Sequence, residues 1–328
     1  MIKRERLERT LAGEATDRAP VALWRRFPGD DQRATDFAAA TLDWQRRYDW
    51  DFVKVTPADT YCVVDYGLQD RWTGSADGSR EITRRVVVKS LDWTDLRVLD
   101  PARGMLAQAN EALTLIRDGL PPETPFIQTL HSPLAQARML AGTETLLKHL
   151  RLAPERLKTG LTTLAESTIR YAESLRRSGI AGVYYTIDLA SYAHLSEAEY
   201  TEFGRPFDLR VLSALNRDWW LNIAYVGGPL PILGLTADYP VGAISWNDRD
   251  SEPDIATMRV RIPQAVCGGH GALNGLALSS PAEVRSQARS ALEMMNGRRL
   301  ILASGGPVWV TTPLANLQAA RQVVELKL

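Results

Sequence analysis

Short apolar runs rich in β-type residues alternate along the chain with longer stretches whose apolar positions recur at helical spacing. Eight of the short runs read as strands: 21–25, 52–56, 126–130, 183–187, 220–224, 243–246, 265–268 and 300–304. Several are apolar almost throughout, the pattern of a parallel sheet covered on both faces. The helical stretches carry start and stop signals. Ser280-Pro281-Ala282-Glu283 is a capping box with proline at the first helical position, and Val284, Ala288, Ala291, Leu292 and Met295 then share one face. Ser196 to Glu199 forms a second capping box. Gly179 sits where a helix running from Pro154 to Ser178 needs a left-handed terminator, and Thr312-Pro313 opens the last helix.

Two regions interrupt the alternation. Residues 61–93 read as a β excursion in the loop after the second strand, with Gly67, Gly74 and Gly78 in turns and 82–89 as a strand; residues 1–20 read as a short helix and an extended lead-in. With no linker, repeat or low-complexity segment, the pattern predicts an α/β fold: a single (β/α)8 TIM barrel domain over residues 1–328. A doubly wound sheet would show a glycine-rich turn after its first strand, and Arg25-Arg26-Phe27-Pro28-Gly29 is not that fingerprint.

Composition narrows the partners. Basic and acidic residues number 39 each, so no net charge draws the chain to nucleic acid or to an anionic membrane. The basic residues are mostly arginine, suited to forked recognition of carboxylates and phosphates. Cys62 and Cys267 lie far apart in apolar runs and read as free buried thiols. No apolar run is long enough to span a membrane and the start lacks the apolar core of a signal peptide, so a cytoplasmic protein is the expectation.

In a barrel the chemistry collects where the strands end. The residues there are Arg25 and Arg26; Thr56, Asp59 and Tyr61; His131 and Ser132; Asp188 and Ser191; Asn222 and Tyr225; Trp246, Asn247 and Asp248; His270; and Ser304. Cationic forks, a carboxylate and aromatic walls suit a small carboxylated ligand. Each has a plainer role open to it. Arg25 and Arg26 would pair with Asp30 and Asp31, Asp59 and Asp188 would close their turns, His131 would satisfy a loop carbonyl, and Trp246 would pack at the rim. His270, among Gly268, Gly269 and Gly271, stands where a ligand approaches the backbone closely. No pair of histidines or cysteines has zinc-ligand spacing, and no phosphate loop or nucleophile elbow occurs.

The lead-in Thr16-Asp17-Arg18-Ala19-Pro20-Val21, the stretch Tyr48-Asp49-Trp50-Asp51-Phe52-Val53-Lys54-Val55, the helix opening Leu195-Ser196-Glu197-Ala198-Glu199 and the tail from Ile301 to Gly306 and on to Leu317 resemble, in order and spacing, the uroporphyrinogen decarboxylase superfamily. The resemblance implies a barrel with its cleft at the strand ends, and suggests a homodimer. It implies either of two chemistries: cofactor-free removal of acetate carboxyls from a porphyrinogen, or methyl transfer by cobalamin-linked enzymes with a zinc site. Carried over, the decarboxylase arginines fall on Arg25 and Gly29, with Arg26 as a substitute, and its aspartate on Asp59. Its tyrosine falls near Arg138 and Met139, its serine near Leu189 with Ser191 close by, and its histidine on Gly306. The zinc ligands fall on Asn222, Ala224 and Gly306 or Pro307, none of which binds zinc through a side chain. The expectation is a metal-free, cofactor-free lyase. Asp59, Arg25 and His270 would be catalytic; Arg26, Tyr61, His131, Asp188, Ser191, Asn222 and Trp246 would bind substrate. Zinc-free methyl or corrinoid handling and a non-catalytic binding barrel are the alternatives.

Overall fold

The computed structural model describes residues 1–325. Nine strands form in chain order: β1 (Val53–Val55), β2 (Gln69–Arg71), β3 (Glu81–Arg84), β4 (Phe126–His131), β5 (Gly182–Ile187), β6 (Ile223–Val226), β7 (Ala243–Ser245), β8 (Ala265–His270) and β9 (Leu300–Ser304). Seven of them make one parallel sheet in the order β1-β4-β5-β6-β7-β8-β9. Every connection between neighbours runs through helical chain, which the sheet needs because parallel strands require a crossover. The sheet is buried on both faces, as its apolar strands predict: β4, β8 and β9 expose no residue.

The run 21–25 is not a regular strand. Val21 and Arg25 make isolated parallel bridges, to Leu302 and Val308. The backbone between them still bonds to both edges of the sheet: Leu302 donates to the Pro20 carbonyl, Ala22 donates to that of Leu302, and Asp51 donates to that of Val21. Proline at 20 has no N–H to offer, which shortens the ladder.

The helix signals hold. Ser196 and Ser280 close reciprocal capping boxes with Glu199 and Glu283. The face of Val284, Ala288, Ala291, Leu292 and Met295 is buried. The helix Pro154–Ser174 passes into a short 3-10 turn, and Gly179 follows at φ +86°. Two boundaries differ from expectation. β6 starts at Ile223 instead of at 220, because Asn222 turns its side chain to the backbone: its Nδ2 donates to Trp219 O at 2.9 Å and its Oδ1 accepts from Val183 N at 3.0 Å. Between β1 and β4, residues 69–71 and 81–84 pair antiparallel, and the extended run stops short of the expected 82–89.

The lead-in motif is an ion network. Asp51, fully buried, accepts from Arg6 Nη1 at 2.6 Å, Arg18 Nη1 at 2.7 Å and Val21 N at 2.7 Å. Asp17 grips Arg6 at 2.8 Å. These bonds fix 20–25 against the helix Lys3–Ala12.

Candidate functional site

A cleft of about 380 Å3 opens at the carboxyl ends of β1, β4, β5 and β6. Strand register explains its lining. Side chains alternate across a strand, and partners in a parallel ladder share a face. Thr129 pairs with Tyr184, and His131 with Thr186 and so with Tyr225; all five line the cleft. Lys54 pairs with Ile127 and lies on the same inward face. Val21 pairs with the outward Leu302, so Trp24 and Arg26 face inward and Arg25 outward.

Five basic residues line the cleft, Arg26, Lys54, Arg80, Arg85 and Arg138, against two carboxylates, Asp59 and Asp188. Arg26 Nε donates to Asp59 at 2.8 Å, and its Nη1 reaches the Asp77 carbonyl at 3.0 Å and carboxylate at 3.3 Å. Asp77 is held by the turn between β2 and β3, accepting from Ser75 Oγ at 2.6 Å and Ser79 N at 3.0 Å. Gly78 lets that turn press on Arg26: it has φ +76°, and a Cβ there would stand 2.9 Å from the arginine's own. Arg138 Nη2 donates to Asp188 at 2.6 Å. Arg80 is neutralised by Asp70 at 2.7 Å. Arg85 donates to the Met139 carbonyl at 2.6 Å and has no carboxylate partner among the described residues; burial and the Arg138 charge lower its pKa.

Lys54 lies on the floor between aromatic faces, its Nζ 4.5 Å from the Tyr184 ring centre and 5.4 Å from that of Trp24. Burial, with Arg26 adding repulsion, brings its pKa down to about 7. His131 has a buried Nδ1 with no hydrogen-bond partner in the protein, and burial lowers its pKa. The site thus combines an anion-attracting wall with a histidine that burial keeps neutral and a lysine that is about half neutral at pH 7.

Of the ten residues expected to act on substrate, the structure gathers Arg26, Asp59, His131 and Asp188 around this cleft, with Thr56 and Tyr225 from the other strand-end residues. Arg26 pairs with Asp59 and Asp77, not with Asp30 or Asp31. The other six do not line it. Arg25 points outward, its guanidinium 5.1 Å from the Phe27 ring and 5.5 Å from that of Trp44, and burial lowers its pKa. His270 has both ring nitrogens buried without partners, and its pKa falls to about 3. Tyr61 turns below the cleft floor and donates to the Thr129 carbonyl at 2.6 Å. Ser191 donates to the Pro229 carbonyl, and Trp246 to that of Pro253 at 2.7 Å. Asn222 stands at the opposite, amino end of its strand. These placements correct the expectation of one convergent ring from Arg25 to Ser304. Sequence reasoning passed over Lys54, Arg80, Arg85, Arg138 and Tyr184. A lysine flanked by Val53 and Val55 inside an apolar strand was the available signal for the first.

The zinc site that methyltransferase relatives would imply does not fit these residues. Among the described residues no three His, Cys, Asp or Glu side chains gather as ligands. Cys62 and Cys267 are buried, with thiol pKa values pushed far up, and neither lines the cleft. Among the described residues no helix is long and apolar enough to cross a membrane.

No curated protein sequence matches the chain. Among solved structures, a methyltransferase from Methanosarcina mazei superposes with a TM-score of 0.88 at 20% identity, covering 99% of this chain and 98% of that one. A B12-independent methionine synthase from Shewanella sp. W3-18-1 superposes with a TM-score of 0.57 at 14% identity, covering 94% and 93%. At such identities the likeness is one of fold. The model of the uroporphyrinogen decarboxylase (URO-D) family matches residues 2–326. On a match that spans nearly the whole length, this chain belongs to the uroporphyrinogen decarboxylase family.

Proposed function

We propose that this chain is a carboxy-lyase that takes a small carboxylated molecule into the cleft and releases carbon dioxide without a zinc thiolate. The observation that carries the reading is the excess of basic over acidic side chains in the cleft, five against two. Arginine forks hold carboxylates with charge-assisted, directional bonds. Arg26 and Arg138 are already pinned by Asp59, Asp77 and Asp188, so little side-chain freedom remains to be lost on binding. Arg85, with no carboxylate of its own, leaves positive charge for the ligand.

The family fold also supports the finer reading of a (β/α)8 barrel. The run 20–25, bonded to both Leu302 and Asp51, takes the eighth strand position, and the β2–β3 pair is the excursion after the second. A cleft of about 380 Å3 sits near the lower end of the roughly 300–1,000 Å3 of small-molecule pockets. That size favours a single-ring or acyclic acid over a tetrapyrrole. Preorganised groups that face the charge developing as carbon dioxide leaves supply several kcal/mol of barrier lowering in such sites.

The test is incubation of the protein with uroporphyrinogen and with a panel of smaller di- and oxo-carboxylic acids, following carbon dioxide. Release from one of them, reduced at least tenfold by Arg138→Ala, supports the reading; binding of no carboxylate in the panel defeats it. The scaffold shared with the Methanosarcina mazei methyltransferase supports a second reading, methyl transfer without zinc. It predicts demethylation of a methylated donor, stimulation by a corrinoid protein and no carbon dioxide.

A further inference from the structure

The carboxylate grip described above leaves Lys54 without a task, and its surroundings suit an amine better than an ammonium ion. It is the one buried lysine among the described residues, 8% exposed, and it reaches the cleft. Its side-chain hydrogen bond goes to a neutral group, Thr56 Oγ1, at 3.2 Å. The carboxylate that acts on it, Asp59, is occupied by Arg26, and the Arg26 guanidinium repels a second positive charge. The other titratable groups that act on it, His131 and Cys267, are buried and carry no negative charge at neutral pH. The rings of Trp24 and Tyr184 attract a cation. Burial of the ion costs more than that attraction returns, which shifts Lys54 toward the neutral amine. The direction agrees: burial brings the Lys54 pKa down to about 7. A desolvated lysine beside a second cation is the setting in which lysine becomes a nucleophile.

We propose that Lys54 condenses with the ketone of a 3-oxo-carboxylic acid held in the cleft, so that the chain builds its own electron sink for loss of carbon dioxide. The inference rests on the carboxylate-binding reading and names its substrate class. The neutral amine adds to the carbonyl carbon, the adduct takes up one proton from solvent and water leaves, giving an iminium ion. The bond to the carboxylate carbon breaks, its electron pair moves into the C=N system to give a neutral enamine, and carbon dioxide departs. The enamine carbon takes up one proton from solvent. Water then adds to the iminium and expels the ketone, releasing one proton and restoring the neutral amine. No oxidant, reductant or metal is consumed.

The experiment exposes the full-length protein to acetoacetate and sodium borohydride near pH 7 and maps the adduct by peptide mass spectrometry. Acetoacetate binding is measured in parallel by calorimetry. At pH 7 about half of Lys54 is neutral, against well under 1% of an ordinary lysine. The expected result is reduced adduct on Lys54 at least about tenfold above that on the exposed Lys89. Lys54→Arg should bind acetoacetate within a few-fold and carry no adduct. Binding with no adduct, or an adduct spread over surface lysines and retained in Lys54→Arg, overturns the imine while leaving the carboxylate reading intact. Absence of binding by acetoacetate and every other carboxylate overturns both.

Discussion

Arg26 donates from Nε to Asp59 at 2.8 Å while its Nη1 reaches Asp77, so one cleft arginine is braced from two sides by segments far apart in sequence. The two partners predict different losses. Arg26→Ala removes a fork and should weaken carboxylate binding by roughly 10–100-fold, about 1.4 kcal/mol per decade. Asp59→Asn keeps the Asp77 brace and removes a negative charge, so calorimetry should find equal or tighter binding with reduced turnover. Undiminished carbon dioxide release by Asp59→Asn eliminates a catalytic role for that carboxylate.

Lys54 gives a stability signature that is independent of turnover. Its folded pKa lies below its unfolded value, about 7 against 10.5, so the unfolded chain binds more protons between those pH values. Its contribution to stability is therefore absent below about pH 7 and grows as pH rises toward 10.5. Lys54→Met lacks that slope. At pH 7 the variant should be more stable than the native chain, by about 1–4 kcal/mol. The gap should close with rising pH in urea titrations. A gap that is flat with pH would show that the native lysine stays charged.

Asp208 carries the opposite sign. It is buried and accepts from Tyr185 at 2.9 Å, Tyr200 at 2.5 Å and Tyr239 at 3.0 Å, yet burial outweighs those bonds and raises its pKa to about 6. A raised carboxyl pKa stabilises the folded state below the unfolded value near 3.8, and that stabilisation is lost as pH rises through about 6. The advantage of the native chain over Asp208→Asn should shrink between pH 4 and 6 and stay constant above. Asp248, raised to about 6 by the same cause, keeps part of the slope in the variant. Thermal melts of both proteins across that range measure it; a difference that widens with pH refutes the assignment.

Asp51 predicts the cost of opening the amino-terminal face. Asp51→Ala leaves Arg18 and the Val21 amide without their carboxylate and Arg6 with Asp17 alone. Loss of one partner of a buried charge network costs about 3–5 kcal/mol. The denaturation midpoint should fall accordingly, with Asp51→Asn intermediate.

What the sequence determined by itself was local and periodic. Apolar runs separated by capped helices were enough for seven of the eight strands, because capping, helical stripes and strand runs are each decided by residues within a few positions of one another. Arg26, Asp59, His131 and Asp188 were legible as strand-end residues for the same reason. The tertiary structure decided which way each strand end faces. A one-residue change of register carries every side chain to the other face. Arg25 and Arg26 are equivalent as text, but the bridge from Val21 to Leu302 sends the first onto Phe27 and Trp44 and the second into the cleft. Asn222 changed ends when its side chain took Val183 N and delayed β6. Lys54 gained its meaning from Tyr184, Trp24 and Arg26, brought to it by strand pairing and by the turn at Asp77. Parity, register and burial come from contacts between residues distant in the chain, and local pattern carries no record of them.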